Sequence, residues 1–270
     1  MVKVICVKVS KGGVGKTTIS SNLSYLMAES GKKVLVIDLD SQANLMKSLV
    51  GNTEDSKLTS SNLLGDEEID IENLIYNVNE NLDVIGADIG LSEVAKYLES
   101  QEKYCDRLNY VIFKNKLDQI YDYIFLDLPP GVSDSITEIA LCCSDLVICP
   151  THFDVDSLSG IVYTIGDISR LNESNLLKQN LNYLVVPNRY DKRFEKDNKL
   201  ISDMIYENLE DEFISKPIRE NSHIKKARMR GITAIEYESL EENKYKHNKA
   251  IEDFNILKQK VEDLLNFDIN

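Results

Sequence analysis

The residues best suited to chemistry lie close to the N-terminus, in the run SKGGVGKTT at positions 10–18. Gly12, Gly13 and Gly15 let the backbone approach an anion closely and can take positive φ without a Cβ clash. Their N–H groups, with that of Val14 between them and the N-terminus of a following helix, would form a nest for phosphate. Lys16 would reach the β- and γ-phosphates of a nucleotide as a point charge. The Thr17 hydroxyl would ligate Mg²⁺ and Thr18 could bond the α-phosphate. The common GxxxxGK[ST] spacing is not met, because Ser10 stands at its first glycine position and a second lysine, Lys11, follows.

Two acidic segments could complete such a site. In VIDLDSQAN, residues 36–44, a strand period of two puts Asp38 and Asp40 on one face, both directed at the phosphates. A carboxylate beside a γ-phosphate can orient or deprotonate the attacking water. Asp40 and Asp38 are the candidates for that role, one orienting water and the other supporting it by hydrogen bonding. In YIFLDLPPG, residues 123–131, Asp127 follows four apolar or aromatic residues in the form of a Walker B strand, suited to holding Mg²⁺ through a water.

Apolar runs rich in Val, Ile and Leu predict the strands that carry these groups, at 2–9, 33–40, 82–88, 121–129, 145–150 and 181–188. Helix-period segments such as TTISSNLSYLMAES and DSITEIALCC lie between them. The alternation predicts an α/β fold, a mainly parallel twisted sheet flanked by helices on both faces. Ligands bind beyond the carboxyl ends of such strands, where these motifs fall. Residues 1–270 are expected to form one domain, with 51–62 as an irregular connection. A last helix, about 246–265, would pack on the body through Ile251, Phe254, Leu257, Val261 and Leu264.

Composition limits the alternatives. Hydrophobic residues are 43% and charged residues 28%, ordinary for a folded globular chain. No run reaches the roughly 18–20 apolar residues of a membrane span, and no secretory signal is expected. Cys6, Cys105, Cys142, Cys143 and Cys149 lack paired spacing, and His152, His223 and His247 lack metal-ligand spacing. A cytoplasmic chain with reduced thiols is expected. The net charge of -14 requires any nucleic-acid contact to come from a local patch. One candidate is 221–235, which carries Lys225, Lys226, Arg228 and Arg230 with no acidic residue.

Together KGGVGKTT, DLDSQAN and LDLPPG resemble the motifs of the ParA/MinD family, the deviant Walker A class of P-loop NTPases. The resemblance covers nearly the whole chain and implies an ATPase that uses ATP and Mg²⁺. It implies that Lys11 reaches across a dimer interface to the partner's nucleotide, and that Asp40 is tied to hydrolysis, although Ser41 stands where proline is usual. Pro129, Pro130 and Gly131 resemble the second switch, which senses the γ-phosphate. Adenine would be held by Asn188 or by Asn221, the latter in a segment where Arg219 replaces a common proline. The resemblance further implies an ATP-bound homodimer that binds double-stranded DNA nonspecifically, through the 225–230 cluster with Arg189, Lys192 and Arg193 as secondary candidates. A ParB-like centromere-binding partner would stimulate slow hydrolysis, in plasmid or chromosome partition, with nucleoid association when ATP is bound. The early position of the loop suggests the small form without an N-terminal operator-binding domain. The alternatives are a MinD-like regulator on membrane, disfavoured by Glu252, Asp253, Glu262 and Asp263 in the last helix, and a nucleotide-switched scaffold that never touches DNA.

Overall fold

Runs of Val, Ile and Leu bounded by polar residues become the strands of one sheet in the computed structural model. It describes all residues except 52–56, 66–67, 102–103, 132–133, 175, 178–179, 241–248 and 268–270. His247, positions 246–248 of the expected last helix and positions 52–56 of the expected irregular connection lie outside the described residues; the described part of that connection is irregular up to Ser60, where a short helix begins.

The strands are β1 Lys3–Val7, β2 Val34–Asp38, β3 Ile75–Asn79, β4 Leu82–Ile85, β5 Tyr123–Asp127, β6 Leu146–Thr151, β7 Asn182–Tyr190 and β8 Ile218–Arg219. They lie in the order β3-β4-β2-β5-β1-β6-β7-β8, and every neighbouring pair is parallel except β3 with β4. The six expected strands are all present, most of them trimmed at their ends. The two that sequence reading missed are edges: β3 is only half-buried, without the apolar run of a central strand, and β8 is two residues long.

The helices are α1 Lys16–Glu29, α2 Asn44–Leu49, α3 Ser60–Gly65, α4 Leu91–Glu99, α5 Arg107–Lys114, α6 Leu117–Ile120, α7 Ser135–Cys143, α8 Val155–Asn172, α9 Glu195–Asn208, α10 Ser222–Arg230, α11 Ala234–Ser239 and α12 Ala250–Phe267. Because side chains alternate along a strand, β1 sends Val4 and Cys6 to one core and Ile5 and Val7 to the other. The first core is closed by α3 to α9, including Leu63, Leu98, Ile139, Ile161 and Ile201. The second is closed by α1, α2, α11 and α12, including Leu23, Leu45, Ile235 and Phe254. Helices therefore cover both faces, as the alternation requires.

In α12 the buried stripe is Phe254, Leu257, Val261 and Leu265, with Ile251 and Leu264 only partly covered. The expected Leu264 gives way to Leu265 because a 3.6-residue period continues from Val261 by four. Arg219, in the place of a common proline, ties this helix down. Its guanidinium donates to both carboxylate oxygens of the buried Asp253, and its backbone N–H donates to Asp253 Oδ2 at 2.9 Å. Proline would remove that N–H. Asp253→Ala is expected to destabilise the chain by about 1–3 kcal/mol, since it strands the Arg219 backbone donor and leaves the guanidinium to the exposed Glu252. Urea unfolding checks this, as a lower midpoint at an unchanged slope.

Candidate functional site

The loop from β1 to α1 bends at Gly13, φ 77°, and Gly15, φ 102°; both lie in the left-handed region that favours glycine. Gly12 needs no such φ and instead passes the ring of Pro130, 3.7 Å from where its Cβ would be. Gly15 caps α1 without a side-chain bond, so the first N–H groups of that helix face the cleft. Behind the loop, buried Asn188 of β7 donates through Nδ2 to the Val14 carbonyl at 2.8 Å and accepts the Arg189 N–H at 2.9 Å. A Cβ on Gly15 would run into that amide. Lys16 is buried, and its ammonium makes one long bond, 3.3 Å, to the Lys11 carbonyl. Burial pulls its pKa down to about 8, against the opposing pull of Asp127. Among the described residues no carboxylate lies within ion-pair distance of it, although Asp127 and Asp40 act on it from farther away.

Parallel register aligns Asp127 at the end of β5 with Val7 on one side and Asp38 on the other. Its two oxygens accept from the Thr17 and Ser20 hydroxyls, each at 2.7 Å. Burial raises its pKa to about 6, and the two hydroxyls and Lys16 oppose the rise. A buried carboxylate held beside a threonine hydroxyl is a hard-oxygen donor set that fits Mg²⁺. Sequence reading missed Ser20, although three residues after Thr17 on a helix it shares that face.

Asp38 and Asp40 part company. β2 ends at Asp38, whose carboxylate turns inward to accept the N–H groups of Asp40 at 3.0 Å and Leu45 at 3.1 Å. Asp38 is fully buried, and burial followed by Asp127 raises its pKa well above the ordinary carboxylate value. Those bonds bend the chain, so the strand period does not reach Asp40 and the two side chains do not share a face toward the cleft. Asp40 lines that cleft, of about 240 Å³, with Gly13, Gly15, Lys16, Thr17, Thr18 and Pro130. Gln42, Asn44 and Ser48 of the α2 region line it too and were not anticipated. Half-buried Pro129 leads to Pro130, and Gly131, φ 115°, donates its N–H to the Ser10 carbonyl at 2.9 Å.

Lys11 lies outside its own cleft. Its ammonium pairs with Asp154 at 2.5 Å and approaches Asp156 at 4.0 Å, at the N-terminus of α8. Asn188 and Asn221 both line an adjoining cleft of about 370 Å³ beyond Gly15 and Thr18. Asn221 also caps α10, accepting the His223 N–H at 2.8 Å. The expected basic patch is divided. Lys225 and Arg228, three residues apart on α10, line this second cleft with Arg189, and Arg228 and Arg189 also line the first. Lys226 is exposed on the other side, Arg230 lies over the Tyr237 ring at 5.0 Å, and Arg193 is bound to Asp191.

A nest of N–H groups, a buried lysine and a carboxylate–hydroxyl pair at strand ends can hold a nucleotide polyphosphate with a hard cation. A carboxylate at the open side can address water. Comparison with known proteins agrees. A family model described as an AAA domain matches residues 2–183. The sporulation initiation inhibitor protein Soj of Bacillus subtilis is 34% identical over 176 residues, 65% of this chain and 68% of Soj. The septum site-determining protein MinD of Pyrococcus horikoshii, complexed with Mg-ADP, superposes with a TM-score of 0.73 at 26% identity, covering 98% of this chain and 97% of that one. Cyanothece McdA in its ATP complex has a TM-score of 0.81 at 23% identity, covering 97% and 96%, a likeness of fold.

Proposed function

Because this chain belongs to the ParA/MinD family of P-loop ATPases, we propose that ATP joins two copies into a sandwich dimer that binds double-stranded DNA without sequence preference. Hydrolysis, stimulated by a ParB-like partner, would then release the DNA, in plasmid or chromosome partition. Beneath that cycle lies a nucleotide hydrolase of the P-loop class, with ATP and Mg²⁺ as its ligands.

The observation that carries the dimer reading is the placing of the two lysines. Lys16 is buried at the floor of its own cleft, whereas Lys11 is partly exposed and held by Asp154 outside it. A cation turned away from its own cleft would serve the nucleotide of a facing copy by exchanging Asp154 for that nucleotide's phosphates. Mg²⁺, held by Thr17 and Asp127, would supply charge neutralisation at the phosphates when bound. The chain's own residues do the rest. The loop N–H groups and Lys16 grip the phosphates, Asp40 orients water, and adenine lies in the second cleft between Asn188 and Asn221. DNA contact would rest on Lys226 and Arg230, with Lys225 and Arg228 reaching out past bound nucleotide. Against a net charge of -14 that contact should be strongly salt-sensitive.

The test is retention of duplex DNA with ATP, ADP and no nucleotide. Retention with ATP alone is expected, lost when Lys225, Lys226, Arg228 and Arg230 become Ala. Because Arg228 and Lys225 line the nucleotide cleft, ATP affinity of that variant must be measured alongside. No retention in any state would favour a nucleotide-switched scaffold. Lys11→Ala is expected to leave ATP affinity within about threefold while shifting the ATP-bound species to monomer in sedimentation velocity.

A further inference from the structure

Lys8 is 1% exposed and is among the largest fully buried side chains of the described residues. It follows the end of β1, two residues after Cys6, where the strand leads into the phosphate loop. Its ammonium donates to the Gly131 carbonyl at 2.8 Å. Burial pulls its pKa below that of an ordinary lysine; Cys6, then Asp134 and Asp167, pull the other way, the aspartates from beyond ion-pair distance. A buried ammonium held by one carbonyl costs stability that an apolar side chain of similar length would not. Packing therefore does not account for a lysine here.

Its bonding partner does. Gly131 belongs to the turn whose Pro130 lines the phosphate cleft with Asp40 and Lys16. That glycine is gripped at both ends, its N–H by the Ser10 carbonyl and its carbonyl by Lys8, two residues that flank Val9 where β1 passes into the phosphate loop. With both groups fixed and φ at 115°, the position of Pro130 over the cleft follows from β1. We propose that Lys8 is a positioning residue for nucleotide hydrolysis, holding the Pro130–Gly131 turn in register with the phosphate loop through the Gly131 carbonyl. The inference rests on the ATPase reading above.

Lys8→Met removes the charge and the donor but fills the slot. Its melting temperature is expected to equal or exceed the parent's, and its Kd for ADP to stay within about twofold. Its kcat for ATP should fall about tenfold or more with KM raised no more than about fivefold, since misplacing a cleft wall by an ångström has effects of that size. A purely structural lysine would show the reverse pattern, altered melting with normal kcat. A folded Lys8→Met with kcat within twofold of the parent overturns the proposal. If it does not fold, Lys8→Gln, one atom too short to reach Gly131, is judged by the same two criteria. If neither folds, the lysine serves the fold and the proposal fails. A parent that binds ADP yet hydrolyses no ATP would refute the ATPase reading instead. The ratio of ATP to ADP affinity, expected to fall about fivefold in Lys8→Met and overturning the proposal if unchanged, then tests the turn alone.

Discussion

Replacing Lys16 with Ala is expected to weaken ATP binding by about 100-fold or more, because a buried ammonium bonded to phosphate contributes about 1.5–3 kcal/mol per hydrogen bond and contacts to both the β- and γ-phosphates are expected of Lys16. The fold should not suffer. Lys16 is held by one long bond to the Lys11 carbonyl and resists burial, so Lys16→Ala should melt at or above the parent temperature. Calorimetric titration separates the two effects. The same geometry gives a pH dependence with a definite sign. In the free protein burial sets the Lys16 pKa at about 8, and neighbouring phosphate must raise it in the complex. Binding therefore takes up a proton above pH 8. Affinity should be full below that value and fall, by at most about tenfold per pH unit, as pH rises through it. In Lys16→Ala that fall should be absent; an equal fall in both proteins would remove the assignment.

Asp40→Ala should divide binding from turnover. Asp40 lines the cleft but makes no bond to the phosphate loop. Its carboxylate accepts the Gln42 N–H, a bond that closes a local turn. ATP affinity should thus stay within a few-fold of the parent. Losing a positioned base or water-orienting group lowers kcat by about 10²–10⁴-fold. The expected species is an ATP-bound dimer that persists and retains DNA after the parent has released it. Single-turnover hydrolysis measured beside DNA retention makes the comparison. Normal hydrolysis in Asp40→Ala would rule out water positioning by this residue. Asp38 cannot substitute for it, because both its oxygens are occupied by the backbone N–H groups of Asp40 and Leu45.

The contrast between these two aspartates shows how far the sequence reached. Gly13, Gly15, Lys16, Thr17 and Asp127 were legible as a phosphate site because their roles depend on local facts: glycine tolerates positive φ, a helix N-terminus follows, and an apolar strand ends in a carboxylate. The central strands were legible for the same reason, as runs buried on both faces. Edge strands β3 and β8 carry no such run and take their form from their neighbours.

What only the tertiary structure decided concerns partners distant in the chain. The inward turn of Asp38 depends on amides beyond the strand end. Ser20 joins Thr17 on Asp127 across 107 residues, and Asn188 braces the loop at Val14 across 174. The basic run 225–230 reads as one patch in sequence, yet a helical turn of 3.6 residues sends Lys225 and Arg228 to the cleft beside Gly15 and Thr18 and Lys226 away from it. Arg219 found its reason in Asp253, and Lys8, which looks in sequence like a stray charge in a strand, found its acceptor in Gly131. Periodicity and residue type fix conformation and local chemistry. Which buried charge meets which acceptor is set by strand order and register, and those emerge only when the sheet is assembled.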